Sequence, residues 1–180
     1  MDNWRHDAEH SAMTSAAARA FSLRPARLSD LDALLQLENA TFTSDLLSRR
    51  RMRHWVGASN GIFIVAVDAS DALAGYALVF TRRDSTSARI YSLALAPSAR
   101  GQGLGSRLIR DIEQRCRAAG FTHIYLEVAH DNRPALALYD KLGYARIRSL
   151  PQFYEDGKDA WRMEKALANP PPAKSVSESN

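Results

Sequence analysis

Residues 92–107, S-L-A-L-A-P-S-A-R-G-Q-G-L-G-S-R, constrain this chain more than any other stretch, because an alternating apolar strand runs into Pro97 and then into a glycine-rich turn that opens a helix. Strand, turn and helix in that order make an anion cradle. Gly101, Gly103 and Gly105 let the backbone approach a ligand with no Cβ in the way, and the free N–H groups of the first helical turn point at whatever anion sits there. The cradle therefore comprises Gly101, Gln102, Gly103, Leu104, Gly105 and Ser106, with Arg100 as a cation at its lip. A dinucleotide site needs G-x-G-x-x-G and a triphosphate loop needs a Lys before Ser or Thr, whereas this chain reads G-x-G-x-G followed by Ser106-Arg107. Both alternatives fail on spacing.

The flanking pattern is mixed α/β. Residues 21–25 read as a first strand, and Ser29-Asp30-Leu31-Asp32 as a helix start with Ser29 as the cap, continued by Leu34, Leu35 and Glu38. Residues 46–56 read as a second helix. Strands at 62–68, 73–81 and 88–95 form a meander, the first two joined by a polar turn at Ala69-Ser70-Asp71. Leu104, Leu108, Ile109, Ile112 and Cys116 give the apolar stripe of a long helix that Gly120 ends. A further strand lies at 124–129, and a helix starts near Asn132 and stops at Gly143.

With 180 residues, 46% of them hydrophobic, the chain suits one domain with a full-sized core. Residues 1–20 lack the continuous apolar run of a secretory signal, and no segment approaches a membrane span. This leader and the proline-broken tail at 169–180 are expected to be disordered, which leaves 21–168 as the folded domain. Cys116 is the only cysteine, so no intrachain disulfide can form and a cytoplasmic protein is expected. The net charge of +4 gathers partly at Arg49, Arg50, Arg51 and Arg53, which reads as a solvated helix face before a docking patch. So mild a surplus does not indicate a nucleic-acid binder, and no metal-ligand spacing is present.

The R-x-x-G-x-G of Arg100 to Gly105 resembles the pyrophosphate-binding signature of the GNAT superfamily of acetyl-CoA-dependent N-acetyltransferases. The downstream Leu126-Glu127-Val128, followed by Asn132, Ala135, Leu138-Tyr139 and Gly143-Tyr144, is similar to the superfamily's L-E-V … N-x-x-A-x-x-L-Y-x-x-x-G-F/Y pattern. The likeness spans roughly residues 21 to 168 by element order and is greatest to the bacterial ribosomal-protein-alanine N-acetyltransferases and their relatives. It implies a mixed sheet, splayed at its centre and flanked by helices. It also implies a slot for the pantetheine arm of acetyl-CoA, beside free strand amides around Leu93, Ala94 and Leu95.

Acetyl transfer from a thioester to an amine needs a neutral nucleophile, support for a developing oxyanion and a proton for the departing thiolate. Glu127 lies inside an apolar strand, where an acid is costly; it is either a structural acid satisfied by local donors or a general base, direct or through a water. Tyr139, twelve residues on, is either a core aromatic or, at the superfamily's tyrosine position, the proton donor to the coenzyme sulfur. Asn132 is a helix cap to which the resemblance adds a hydrogen bond to the coenzyme. Cys116 reads as buried structure, and His123 and His130 as flanking residues that could assist as bases.

Residues 151–160 resemble the acceptor-side hairpin of the ribosomal-protein-alanine enzymes, with Phe153 in place of their first tyrosine. Phe153 and Tyr154 would wall the acceptor slot, with Glu155 or Asp156 drawing the ammonium. Thr43-Ser44-Asp45 departs from the Pro-Trp that commonly follows Phe42 in that group. A protein N-terminal α-amine is the expected acceptor, because its pKa of about 8 leaves it partly neutral where a lysine near 10.4 is not. A lysine side chain, a small-molecule amine and a non-catalytic acyl-CoA-sensing module are the alternatives. The last would have no use for Glu127 or Tyr139.

Overall fold

The structure is a computed structural model and describes residues 20–168. The expected disordered leader, but for residue 20, and the tail lie outside the described residues. Seven strands, β1 (Ser22–Pro25), β2 (Gly61–Val67), β3 (Leu73–Phe80), β4 (Ser87–Leu95), β5 (His123–Ala129), β6 (Ala145–Leu150) and β7 (Ala160–Ala166), form one sheet in the order β1-β2-β3-β4-β5-β7-β6. All pairings are antiparallel except β4 with β5. Helices α1 (Leu31–Thr41) and α2 (Arg49–Trp55) cover one face; α3 (Leu104–Ala118) and α4 (Arg133–Lys141) cover the other.

Coverage follows the residue pattern. β2 and β3 are almost continuously apolar and buried, as strands covered on both faces must be. β5 alternates instead: Ile124, Leu126 and Val128 enter the core with α3 and α4, while Tyr125 and Glu127 face the side on which α1 and α2 stop short. The boundary between the doubly and singly covered halves of the sheet falls at β4 and β5.

There the sheet opens. The parallel register runs from Ser87↔His123 to Ile90↔Leu126 and ends, although both strands continue, to Leu95 and Ala129. On its other edge β4 carries a bulge, since Val79 faces Ile90 while Leu78 faces Ser92, leaving Tyr91 as the extra residue. A bulge bends and twists its strand, and this one sits where β4 leaves β5.

Two helix starts differ from the sequence pattern. Ser29 caps nothing; it lies in a single 3-10 turn (Leu28–Asp30), and Asp30 organises the corner by accepting from Arg27 N at 2.7 Å and from both terminal nitrogens of Arg24 at 2.8 and 2.9 Å. α2 begins at Arg49, capped by Ser48 Oγ accepting from Arg51 N, rather than at 46. The Leu47 amide is committed elsewhere, to the buried Glu38 Oε1 at 2.7 Å.

Glu38 also accepts from the Tyr76 hydroxyl, and Ser92 Oγ lies 2.8 Å from that hydroxyl, so one buried acid ties α1, the loop before α2, β3 and β4 together. Burial beside Glu38 pushes the Tyr76 phenol well above its ordinary pKa. Replacing Tyr76 with Phe strips Glu38 of one donor and is expected to cost about 1–3 kcal/mol, read as a lower midpoint in thermal or urea unfolding with no change in secondary structure.

Candidate active site

After β4 the chain makes a 3-10 turn (Pro97–Ala99), crosses residues 100–103 and starts α3 at Leu104. Gly101 and Gly103 hold φ of 72° and 74°, a left-handed conformation open to glycine at little cost. The Gln102 side chain braces the turn by donating to Ser98 O at 2.8 Å. Arg107 N bonds back to Gly103 O at 3.1 Å, and the amides before it point out of the helix end. Arg100 is exposed beside them, and Ser106 is half-buried.

At Gly105 and Leu104 it is packing that fixes the residue type, whatever their amides face. A Cβ on Gly105 would stand 3.1 Å from Leu138 Cδ2 and 3.5 Å from Leu95 Cδ1, so this glycine lets α3 pack against α4 and β4. Leu104 is a buried core residue. Around Gly101 and Gly103, by contrast, a Cβ would meet open space.

The second wall is the free end of β4. Ala96 N bonds to Ala74 O at 2.8 Å, so by the alternation of an antiparallel ladder Ala94 also turns its amide to β3, while Leu93 and Leu95 turn theirs toward the gap left by β5. Of the three amides expected at the slot, those of Leu93 and Leu95 face it and that of Ala94 does not.

Glu127 stands just past the last β4–β5 pair, its side chain 3% exposed. Arg89 Nε donates to Oε2 at 2.9 Å and an Arg162 terminal nitrogen to Oε1 at 2.5 Å. Arg89 comes from the neighbouring parallel strand and Arg162 from the register position opposite Glu127 on β7. The expected burial cost of an acid in this strand is thus offset by two guanidinium groups, and cost alone no longer argues for catalysis. Neither arginine stands out in the sequence; the only hint is a charge set between apolar neighbours in A-R-I and W-R-M, as Glu127 is in L-E-V.

Tyr139 is buried on α4, its ring edge-on to Tyr144 at 5.5 Å. Its hydroxyl makes no hydrogen bond among the described residues. Burial, with a smaller contribution from the nearby Tyr154 phenol, raises its pKa well above the ordinary tyrosine value. Tyr154 reaches in from the β6–β7 loop, and burial followed by the charges of Glu127 and Asp45 pushes it up to about 12. The Tyr154 phenol thus lies within electrostatic range of Glu127 and of the Tyr139 phenol. Asn132 caps α4, its Oδ1 accepting from Ala135 N at 3.3 Å.

The β6–β7 loop is pinned on both sides of the opening: Glu155 N donates to Asp45 Oδ2 at 3.2 Å, and Lys158 pairs with Asp131 at 3.1 Å. Phe153 packs edge-on against Tyr154 at 5.0 Å and is 38% exposed. Between this loop and α2 lies a cavity of about 330 Å³ whose lining includes Asp45, Arg51, Tyr91 and Glu155. The departure at Thr43-Ser44-Asp45 thus falls within its wall. Sequence reading missed Tyr91 as a lining residue, because only the bulge brings it there.

The histidines and the cysteine stand elsewhere. His123 bonds to Thr122 Oγ1 at the paired end of β5, and His130 stacks on Trp161 at 4.7 Å with Ser149 Oγ 3.1 Å from its Nε2. Cys116 is fully buried, its thiol pushed up to about 12 by burial and the nearby Glu113. Among the described residues no cluster of three or more potential metal ligands occurs, and no helix is long and apolar enough to cross a membrane.

Comparison with known proteins identifies the class. Residues 31–144 match the acetyltransferase (GNAT) family model, and the chain belongs to that family. It is 31% identical over 134 residues to the N-alpha-acetyltransferase RimI of Mycobacterium tuberculosis, covering 73% of this chain and 76% of that one. It is 30% identical over 141 residues to an uncharacterized N-acetyltransferase of Methanocaldococcus jannaschii, covering 78% and 88%. The crystal structure of the ribosomal-protein-S18-alanine N-acetyltransferase from Escherichia coli shares the fold, with a TM-score of 0.74 at 20% identity over 86% of this chain and 98% of that one. The protein is an N-acetyltransferase.

The raised phenols carry a pH consequence. The folded protein keeps a proton on Tyr154 up to about pH 12, whereas the unfolded chain releases it near 10. The folded state therefore binds more protons between those values, and stability present below pH 10 is lost as pH rises through 12. Alkaline unfolding followed by circular dichroism should show that loss, with a shallower slope for Tyr154→Phe.

Proposed function

We propose that residues 21–168 form the transferase domain and move the acetyl group of acetyl-CoA onto a protein N-terminal α-amine, as the ribosomal-protein-alanine enzymes do. What supports this reading is the gap where β4 and β5 part: the amides of Leu93 and Leu95 turn toward it, Glu127 stands just past the last pair, and Tyr154 lies within electrostatic range of both Glu127 and Tyr139. The residues present fit the coenzyme: positive-φ glycines and outward amides at 101–106 suit its pyrophosphate, with Arg100 alongside, and Asn132 can hydrogen-bond it from the α4 start.

In this reading the acceptor ammonium is drawn in by Asp45 and Glu155 and packed against Phe153 and Tyr154. Glu127 takes its proton, directly or through a water, using lone pairs left by the two arginines. The freed nitrogen attacks the thioester carbonyl, a C–N bond forms as the C–S bond breaks, and charge on the carbonyl oxygen is met by a β4 amide. Tyr139, buried and held protonated, gives its proton to the departing sulfur. These proton movements call for neither a metal ion nor a nucleic acid. A cytoplasmic site of action suits a chain whose only thiol is buried and uncrosslinked.

The direct test is to incubate the protein with acetyl-CoA and, separately, N-terminal peptides, lysine peptides with blocked amino termini, and free amines, following thiol release; a reaction confined to lysine or small amines rejects the α-amine acceptor. Gly103→Glu places an anion in the cradle and forces a side chain into the left-handed region at a cost of about 1 kcal/mol. It is expected to abolish acetyl-CoA binding in calorimetric titration while the fold persists. Tyr139→Phe keeps the ring packing and is expected to lower kcat roughly a hundredfold or more, with little change in KM for acetyl-CoA in steady-state assays.

A further inference from the structure

The cavity at the slot's mouth contains a cation that acetyl transfer itself does not use. Arg51 sits with its guanidinium carbon 5.4 Å from the Tyr91 ring centroid and donates to the Tyr91 hydroxyl at 3.1 Å. Tyr91 is held in turn by stacking on Phe80 at 4.3 Å, which stacks on Trp55 at 4.1 Å. The guanidinium, though exposed, is thus oriented by the aromatic stack, and it forms no ion pair among the described residues. Its helix neighbour Arg49 is paired with Asp32, but Arg50 and Arg53 are exposed and likewise make no ion pair among the described residues.

Asp45 and Glu155 line the same cavity, yet Arg51 pairs with neither. One Asp45 oxygen is engaged by the Glu155 amide instead. Opposite charges kept apart in one cavity suit a ligand that carries both signs, its ammonium toward the carboxylates and its own carboxylate toward Arg51. The reach is short: Arg89, whose Nε holds Glu127, lies 5.3 Å from the same Tyr91 ring. An extended peptide advances about 3.5 Å per residue, and the shared Tyr91 ring links the Glu127–Arg89 pair to Arg51, so the residues just after the acetylated one are those that would pass Arg51.

We propose that Arg51 selects an acidic side chain at the second position of the acceptor peptide, held bidentately by the guanidinium. The proposal rests on the α-amine reading above. The exposed Arg50 and Arg53 extend the same preference to acids further along the peptide.

Initial rates would be compared for peptides identical except for Glu, Ala or Lys at position two, and for free alanine, with wild type, Arg51→Ala, Arg51→Lys, Arg51→Glu and, as an equal charge change far from the cavity, Arg110→Glu. The Glu peptide is expected to exceed the Lys peptide about tenfold or more in kcat/KM, chiefly through KM. Arg51→Ala should flatten that ratio, Arg51→Lys should restore part of it, Arg51→Glu should invert it and Arg110→Glu should leave it unchanged. Peptides acetylated without regard to position two, or a ratio unmoved by Arg51→Glu or moved equally by Arg110→Glu, would overturn this assignment and leave the α-amine reading standing. Free alanine outpacing every peptide would show that the cavity reads an α-carboxylate and overturn the side-chain assignment. Failure of all peptides with intact acetyl-CoA binding would remove both.

Discussion

Everything that can act as a site here depends on two parallel strands ceasing to pair. β4 and β5 hydrogen-bond only as far as Ile90 and Leu126, and the residues beyond must either satisfy their backbone groups elsewhere or offer them to a ligand. Ala94 and Ala96 take the first course against β3, while Leu93 and Leu95 take the second. The bulge at Tyr91 bends β4 away at this point, and the same extra residue turns its ring to the cavity where Arg51 and Arg89 gather around it. One local irregularity thus shapes both the slot and its mouth.

Buried carboxylates carry much of the remaining organisation, and each is answered by donors from distant parts of the chain. Glu127 has Arg89 and Arg162; Glu38 has the Leu47 amide and Tyr76; Glu113 has Lys165, Arg117 and the Tyr144 hydroxyl. A buried acid with one partner removed leaves an uncompensated charge, so each cluster penalises any arrangement that separates the acid from its donors. Tyr144 also packs its ring on Tyr139, which links the Glu113 cluster to the phenol at the slot.

The order of the first five strands and the four helices, the glycine turn before α3, the cap at Asn132 and the turn at residues 151–160 were legible in the chain. These are local properties: an alternating strand, a glycine where φ must be positive and an oxygen at a helix start depend on near neighbours alone. Even so, local reading erred where a distant group competed. Ser29 is displaced as organiser by Asp30, whose carboxylate meets Arg24, and the second helix starts late because Glu38 holds the Leu47 amide.

Tertiary structure alone decided the rest. The direction of the β4 amides, the ending of the β4–β5 register, the arginine pair on Glu127 and the approach of Tyr154 to Tyr139 all join residues far apart in the chain, and strand register across a sheet leaves no trace in the spacing of one strand. Gly105 shows the limit most plainly. It reads in the sequence as a third glycine of the cradle, and only Leu138 and Leu95, packed against it from two other elements, show that a Cβ there would be crowded.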